Sequence, residues 1–145
     1  MRITIFYCIS FLMLSFIIPK PSNNKKEATY IYLASGYTND TVSLMVDTFQ
    51  VLKDEVVNTQ KEHNDLTDVY VKLTKDSIFC YKGSSIVSKS LMKSDDESVK
   101  ILLTINNHPY SYTMHLKQGR YLFISKHSYY YNVYFNQFKK AVTLY

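Results

Sequence analysis

The chain has 145 residues, a formal net charge of +5 and 46% hydrophobic residues. That length fits one domain, and that apolar content excludes an intrinsically disordered chain. Lys, Asn, Ile and Tyr are abundant and share AT-rich codons, so a compositional bias must be subtracted before the aromatics are read as function.

Met1-Arg2 is a short positive start, Ile3 to Ile18 an uncharged apolar run, and Pro19 to Lys26 a sharp polar break. This is the layout of an export signal. Sixteen residues of helix reach about 24 Å, short of the roughly 30 Å of a bilayer core. No pair of small residues marks a cleavage site, and Cys8 lies mid-run, away from the end where a lipid-attachment cysteine belongs. The expectation is an exported protein, secreted or held in the cell envelope or periplasm. Residues 1–18 form a signal peptide or, if uncleaved, an anchor that places residues 3–18 in the membrane. Lys20, Lys25 and Lys26 would favour an inside domain for an uncleaved span, but a short start before a short apolar run is the usual export design. Residues 19–28 read as a solvated linker and 29–145 as a single β-rich domain.

Thr29 to Leu33 is β-branched and aromatic, and Ser35 to Asp40 supplies a turn. Val42, Leu44 and Val46 alternate with Thr41, Ser43 and Met45, and Asp47-Thr48 reverses the chain into Phe49 to Val57. The same stretch also fits a helical face, with Asn39 or Asp40 as its cap; a hairpin is preferred because β-branched residues and Thr dominate. Thr59 to Asp68 is a polar loop. Thr67 to Leu73, Asp76 to Tyr81 and Ile86 to Leu91 are short strands, the last two joined at Lys82 to Ser85. Cys80 alternates with Ile78 and is expected as a small buried side chain. Lys93 to Ser98 is a charged loop in which Ser94 and Glu97 match a capping box, but the strict alternation of Val99, Ile101, Leu103 and Ile105 outweighs it.

Tyr110, Tyr112, Met114 and Leu116 face one way, and Ser111, Thr113, His115 and Lys117 the other, as on a half-buried antiparallel strand. Asn106 to Pro109 precedes it. Lys117 to Arg120 follows it into Tyr121 to Ser125, with Gly119 free to take positive φ. The next stretch, SYYYNVYFNQF over 128–138, is dense in aromatics. As a strand it puts Tyr129, Tyr131, Val133 and Phe135 on a core face. Tyr130, Asn132, Tyr134 and Asn136 share the other face, where phenols and amides can stack on and hydrogen-bond a ligand. Cross-strand Tyr pairing is the structural alternative, and a helix over 131–142 the competing element.

Repeated short strands with turn signals predict an all-β fold, mainly an antiparallel sandwich or partly open barrel. The alternative is an α+β fold with a helix at 41–57 or 131–142. No Gly-rich phosphate loop or βαβ spacing occurs. His63, His108, His115 and His127 show no recognised spacing to Cys80 or to one another, so nucleophilic and zinc chemistry are not expected. Glu62 to Asp65 and Asp95 to Glu97 lack the pattern of a catalytic or calcium loop. No cofactor is expected. Asn39 is a glycosylation acceptor only in a host that glycosylates exported proteins.

All twelve acidic residues lie in 27–97, whereas 98–145 holds six basic residues and no acid. A basic, Tyr-rich last third points to anionic partners. The charges are spread except at Lys139-Lys140, and the acidic and basic parts can simply face each other as paired strands, so a polyanion partner (nucleic acid, phosphate head groups or acidic polysaccharide) ranks low. The expected function is non-catalytic binding of a carbohydrate or protein at Tyr130, Asn132, Tyr134 and Asn136. The rivals are an envelope-associated structural protein and, ranked last, a hydrolase with dispersed active-site residues.

Overall fold

A computed structural model describes residues 28–60, 66–91, 97–127 and 131–141. The leader expected over 1–18 and nearly all of the linker expected over 19–28 lie outside those residues. Ten strands run in order: β1 (Thr29–Leu33), β2 (Asp40–Val46), β3 (Phe49–Val57), β4 (Val69–Leu73), β5 (Ser77–Lys82), β6 (Ser85–Leu91), β7 (Ser98–Ile105), β8 (His108–His115), β9 (Tyr121–Lys126) and β10 (Val133–Phe138). They form two sheets, β10-β9-β1-β4-β5-β6 and β3-β2-β7-β8. Every named pairing is antiparallel except that of β1 with β9. The arrangement is sandwich-like rather than a barrel.

The alternation expected from the sequence builds this core. Ile31, Leu33, Val71, Ile78, Leu122 and Ile124 project from the six-stranded sheet. Val42, Leu44, Ile101, Leu103 and Met114 meet them from the four-stranded sheet. Cys80 belongs to this cluster and is fully buried. Neither helix alternative is realised: 41–57 is the hairpin β2–β3, and Val133 to Phe138 is a strand pairing with β9. A helix over either stretch would withdraw Leu44 and Val46 from the core, or Val133 and Phe135 from its flank.

Turn chemistry sets the hairpins. Asn106 and Asn107 both take positive φ, 48° and 67°, in the two-residue β7–β8 turn. This is the type I′ requirement that Asn tolerates. His108 and Pro109 are thus already strand, with Pro109 on the edge of its sheet, where a missing N–H costs no ladder bond. Asp47 has φ 53° and ties its turn to β7, its Oδ1 accepting the Lys100 N–H at 2.8 Å. In β3 the register jumps from Val42↔Glu55 to Leu44↔Leu52, leaving an irregularity opposite Ser43. Asp54 has φ 49° there, and its N–H donates to the Ser43 hydroxyl at 2.9 Å.

Side chains bridge the two sides of the sandwich. On one side Tyr112 stacks on Phe135 at 4.9 Å and donates its hydroxyl to Gln137 Oε1 at 3.0 Å. On the other, the Ser88 hydroxyl donates to the Val51 carbonyl, and Lys82 pairs with Glu55 at 3.1 Å. At one end, Asp40 of β2 meets Lys126 of β9, both carboxylate oxygens at 2.7 Å from the ammonium. Gly36, at φ +88°, passes this corner so closely that a Cβ would lie 1.7 Å from the Lys126 carbonyl oxygen.

Gly119 does not use the positive φ open to it. Its role is close approach, since a Cβ there would sit 2.1 Å from the Phe138 carbonyl oxygen. Gly119→Ala is therefore expected to push β10 away and to cost about 1–3 kcal/mol. Urea unfolding checks the loss. Hydrogen exchange checks that the loosened amides are those of β9 and β10.

Candidate functional site

The two outer faces of the sandwich differ in kind. The four-stranded sheet shows Thr41, Ser43 and Met45 on β2, Val56 on β3, Lys100, Leu102 and Thr104 on β7, and Ser111 and Thr113 on β8, a mixed face without outward aromatic rings. Its aromatics Phe49, Tyr110 and Tyr112 pack toward the core. The six-stranded sheet instead turns aromatics outward on five consecutive strands, in two registered rows. One row runs Asn136, Phe123, Tyr32, Tyr70, Tyr81, Ile86, and the other Phe138, Tyr121, Tyr30, Lys72, Phe79, Lys89.

Local sequence explains the rows. In β1, β4, β5 and β9 the inward positions are filled almost wholly by aliphatics such as Ile31, Val71, Ile78 and Leu122, and the positions between them mostly by Tyr or Phe. Once the aliphatics face inward, the pleat sends the rings to the opposite face. Neighbouring rings then stack: Tyr70 on Tyr81 at 4.6 Å and 4°, Tyr32 on Phe123 at 4.9 Å and 21°, Tyr30 on Tyr121 at 5.6 Å and 5°. Tyr32 also stacks on Tyr70, and Phe138 meets Phe123 edge-on at 84°. Near-parallel rings at such separations overlap in the offset manner. The stacked rings thus cover part of one another's faces, whereas Phe138 meets its neighbour edge-on and Phe79 is tilted 38° from Tyr81. Burial, with Tyr30, Tyr121 and Tyr70 beside it, raises the Tyr32 pKa above its ordinary value. That phenol stays a proton donor.

At the β9–β10 end the face dips into a groove of about 200 Å³, lined among others by Ala34, Leu66, Phe123, Ser125, Asn136 and Phe138. Its lining is rings, aliphatics, hydroxyls and an amide, without an acid or base. The volume falls below the roughly 300–1,000 Å³ of whole small-molecule sites. It suits one ring-sized group of a longer ligand.

Of the four residues singled out from the sequence, one, Asn136, lines this groove. Tyr134 shares the Asn136 side of β10 and is 50% exposed. Asn132 is exposed just ahead of β10, and its carbonyl accepts the His127 N–H at 2.9 Å. Tyr130 and Tyr129 lie outside the described residues. Tyr131 departs from the core face expected of it. It precedes the strand, is 62% exposed, lies 4.2 Å from the His108 ring, and its carbonyl accepts the Tyr110 hydroxyl. The sequence reading missed the ladder itself, because it weighed only the aromatic-dense stretch near 130.

Other candidate chemistry falls elsewhere. The Cys80 thiol is in the core, and burial, with Glu55 second, pushes its pKa up to about 11. It is protonated at neutral pH and no nucleophile. Among the described residues no group of three or more His, Cys, Asp or Glu side chains converges; 62–65 and 95–96 lie outside them. Asn39 is exposed at φ 48°. Compared with known proteins, the chain matches no family model, no curated protein and no solved structure.

Proposed function

We propose that this chain is an exported, non-catalytic binding domain that holds a carbohydrate polymer, one sugar ring in the β9–β10 groove and the rest along the adjoining sheet face. Segregation of the outward aromatics to one sheet carries the reading. A codon bias toward Tyr would scatter rings over both outer faces, and here the four-stranded sheet has none. A soluble protein seldom leaves so continuous an apolar face without a partner. The groove adds what a sugar needs: the Phe138 ring at its wall, the Asn136 amide and Ser125 hydroxyl for its oxygens. The export half of the proposal rests on the apolar run Ile3 to Ile18.

Native gels cast with a panel of neutral and acidic soluble polysaccharides test it. Retardation by at least one polymer is expected. Phe138→Ala and Asn136→Ala should each weaken that retention roughly three- to tenfold, with the melting temperature within about five degrees of wild type. No retardation by any polymer overturns the reading. So does a matching fall in melting temperature, which would return both residues to structure.

A further inference from the structure

The second row of the ladder contains a feature that neutral sugar binding leaves unused. Across six strands it reads Phe138, Tyr121, Tyr30, Lys72, Phe79, Lys89, and Lys139 and Lys140 follow Phe138 directly and are exposed. Cations thus recur along one straight line. At about 4.8 Å per strand, Lys72 and Lys89 stand about 10 Å apart, and Lys72 about 14 Å from the β10 end. Neither row contains a carboxylate. Both lysines lie over rings, Lys72 Nζ at 5.9 Å from the Tyr30 centroid and Lys89 Nζ at 5.4 Å from that of Phe79. Such contacts hold the ammonium groups against the face.

We infer that the polymer is anionic, a linear polysaccharide bearing carboxylate or sulfate groups at intervals, and that it runs across the strands along the Phe138-to-Lys89 row. This rests on the groove reading and adds the charge and direction of the ligand. What the row presents outward is uniformly electropositive: ammonium groups, phenol O–H donors, and ring edges, which carry the positive part of the aromatic quadrupole. An oxygen-rich anion satisfies all three. Single-stranded nucleic acid is disfavoured because its bases need open ring faces to stack on, and stacking within the ladder already occupies faces of Tyr30, Tyr121, Tyr32, Phe123, Tyr70 and Tyr81. A polymer charged only at every second or third unit also matches the wide spacing of the lysines better than a phosphate on every unit.

Binding of the whole protein to three immobilised probes tests this: hyaluronan, neutral dextran and single-stranded DNA. Hyaluronan should bind at least tenfold more tightly than dextran in 20 mM salt and lose most of that advantage by 0.5 M, where screening is nearly complete. Lys72→Gln and Lys89→Gln should each lower hyaluronan affinity about three- to fivefold and flatten its salt dependence, with unchanged melting temperatures. Equal affinity for hyaluronan and dextran overturns the anionic inference and leaves the groove reading standing. Failure to bind either polysaccharide overturns both. Tighter binding to DNA than to hyaluronan reassigns the row to nucleic acid and overturns the inference as well.

Discussion

Asp40→Asn is expected to destabilise the fold by about 3–5 kcal/mol, the range for breaking one half of a buried ion pair. The Asp40 and Lys126 side chains are only 3% and 11% exposed. The carboxylate also accepts the Thr38 N–H at 2.8 Å and the Asn106 side-chain amide at 2.6 Å. Asn106 in turn accepts the Thr41 N–H at 2.9 Å. One carboxylate therefore ties the start of β2, the β7–β8 turn and the end of β9 across both sheets. Asparagine keeps the shape but leaves the Lys126 ammonium buried without its counter-charge. Lys126→Met should cost a similar amount, while the double variant should lose much less than the sum, since neither charge is then stranded. Lys117–Glu97 is the control: at 2.9 Å its geometry is as close, but its side chains are 80% and 78% exposed. Breaking it should cost under about 1 kcal/mol. Thermal and urea unfolding of the four variants separate these cases. A loss of a few kcal/mol moves the midpoint of a domain this size by on the order of 10–20 °C. A loss under 1 kcal/mol for Asp40→Asn would mean the corner is not the clamp that its geometry describes.

The strands were legible because burial enforces period two. Val99, Ile101, Leu103 and Ile105 alternate without exception, and one step of slip would turn the whole set to water. The hairpin at Asp47-Thr48 was readable from the same cause. The division into two sheets was not. Strand order depends on which edges meet across about ninety residues of chain, as when β1 takes β9 as a parallel neighbour, Tyr30 beside Tyr121. Local pattern contains no record of that choice. The site was half legible. Tyr134 and Asn136 stood out by density, but the ladder is built from Tyr30, Tyr32, Tyr70, Tyr81 and Tyr121, scattered through the chain. A usable signal did exist. In β1 and β9 aliphatics alternate with aromatics, whereas in β7 they alternate mainly with polar residues. The residue class at the outward positions sorts strands by sheet, although it does not order them. Gly119 shows a different limit. Its need arises from the Phe138 carbonyl, a tertiary neighbour invisible to turn rules.

Tyrosines inside and outside the sandwich should behave oppositely on substitution, and Tyr37 gives the second large effect. It is 1% exposed, and its hydroxyl donates to the Ile124 carbonyl at 3.2 Å. Tyr37→Ala empties an aromatic volume that the rigid corner at Gly36 cannot refill, a change of about 3–5 kcal/mol. Tyr37→Phe keeps the volume and removes one bond. The Ile124 carbonyl still accepts the Ala34 N–H at 2.8 Å, so the loss should stay near 0.5–1 kcal/mol. Truncating ladder rings such as Tyr70→Ala forfeits cross-strand stacking worth about 0.5–1.5 kcal/mol and leaves the core filled. Alkaline pH discriminates further. Burial first, and then Asp40, raise the Tyr37 pKa well above its ordinary value. The folded state holds that proton where an unfolded phenol, ionising near 10, releases it. Stability from this difference is complete below about pH 10 and falls as pH rises beyond it. Tyr37→Phe should therefore show a shallower loss of stability between pH 9 and 11, measured by urea unfolding, than the native chain. The ladder variants should lose no more stability than their modest stacking contribution, with no change in its alkaline pH dependence, and differ chiefly in binding. A fold that loses far more at the buried Tyr37 than at any one outward ring leaves the ladder free to serve the ligand contact proposed above.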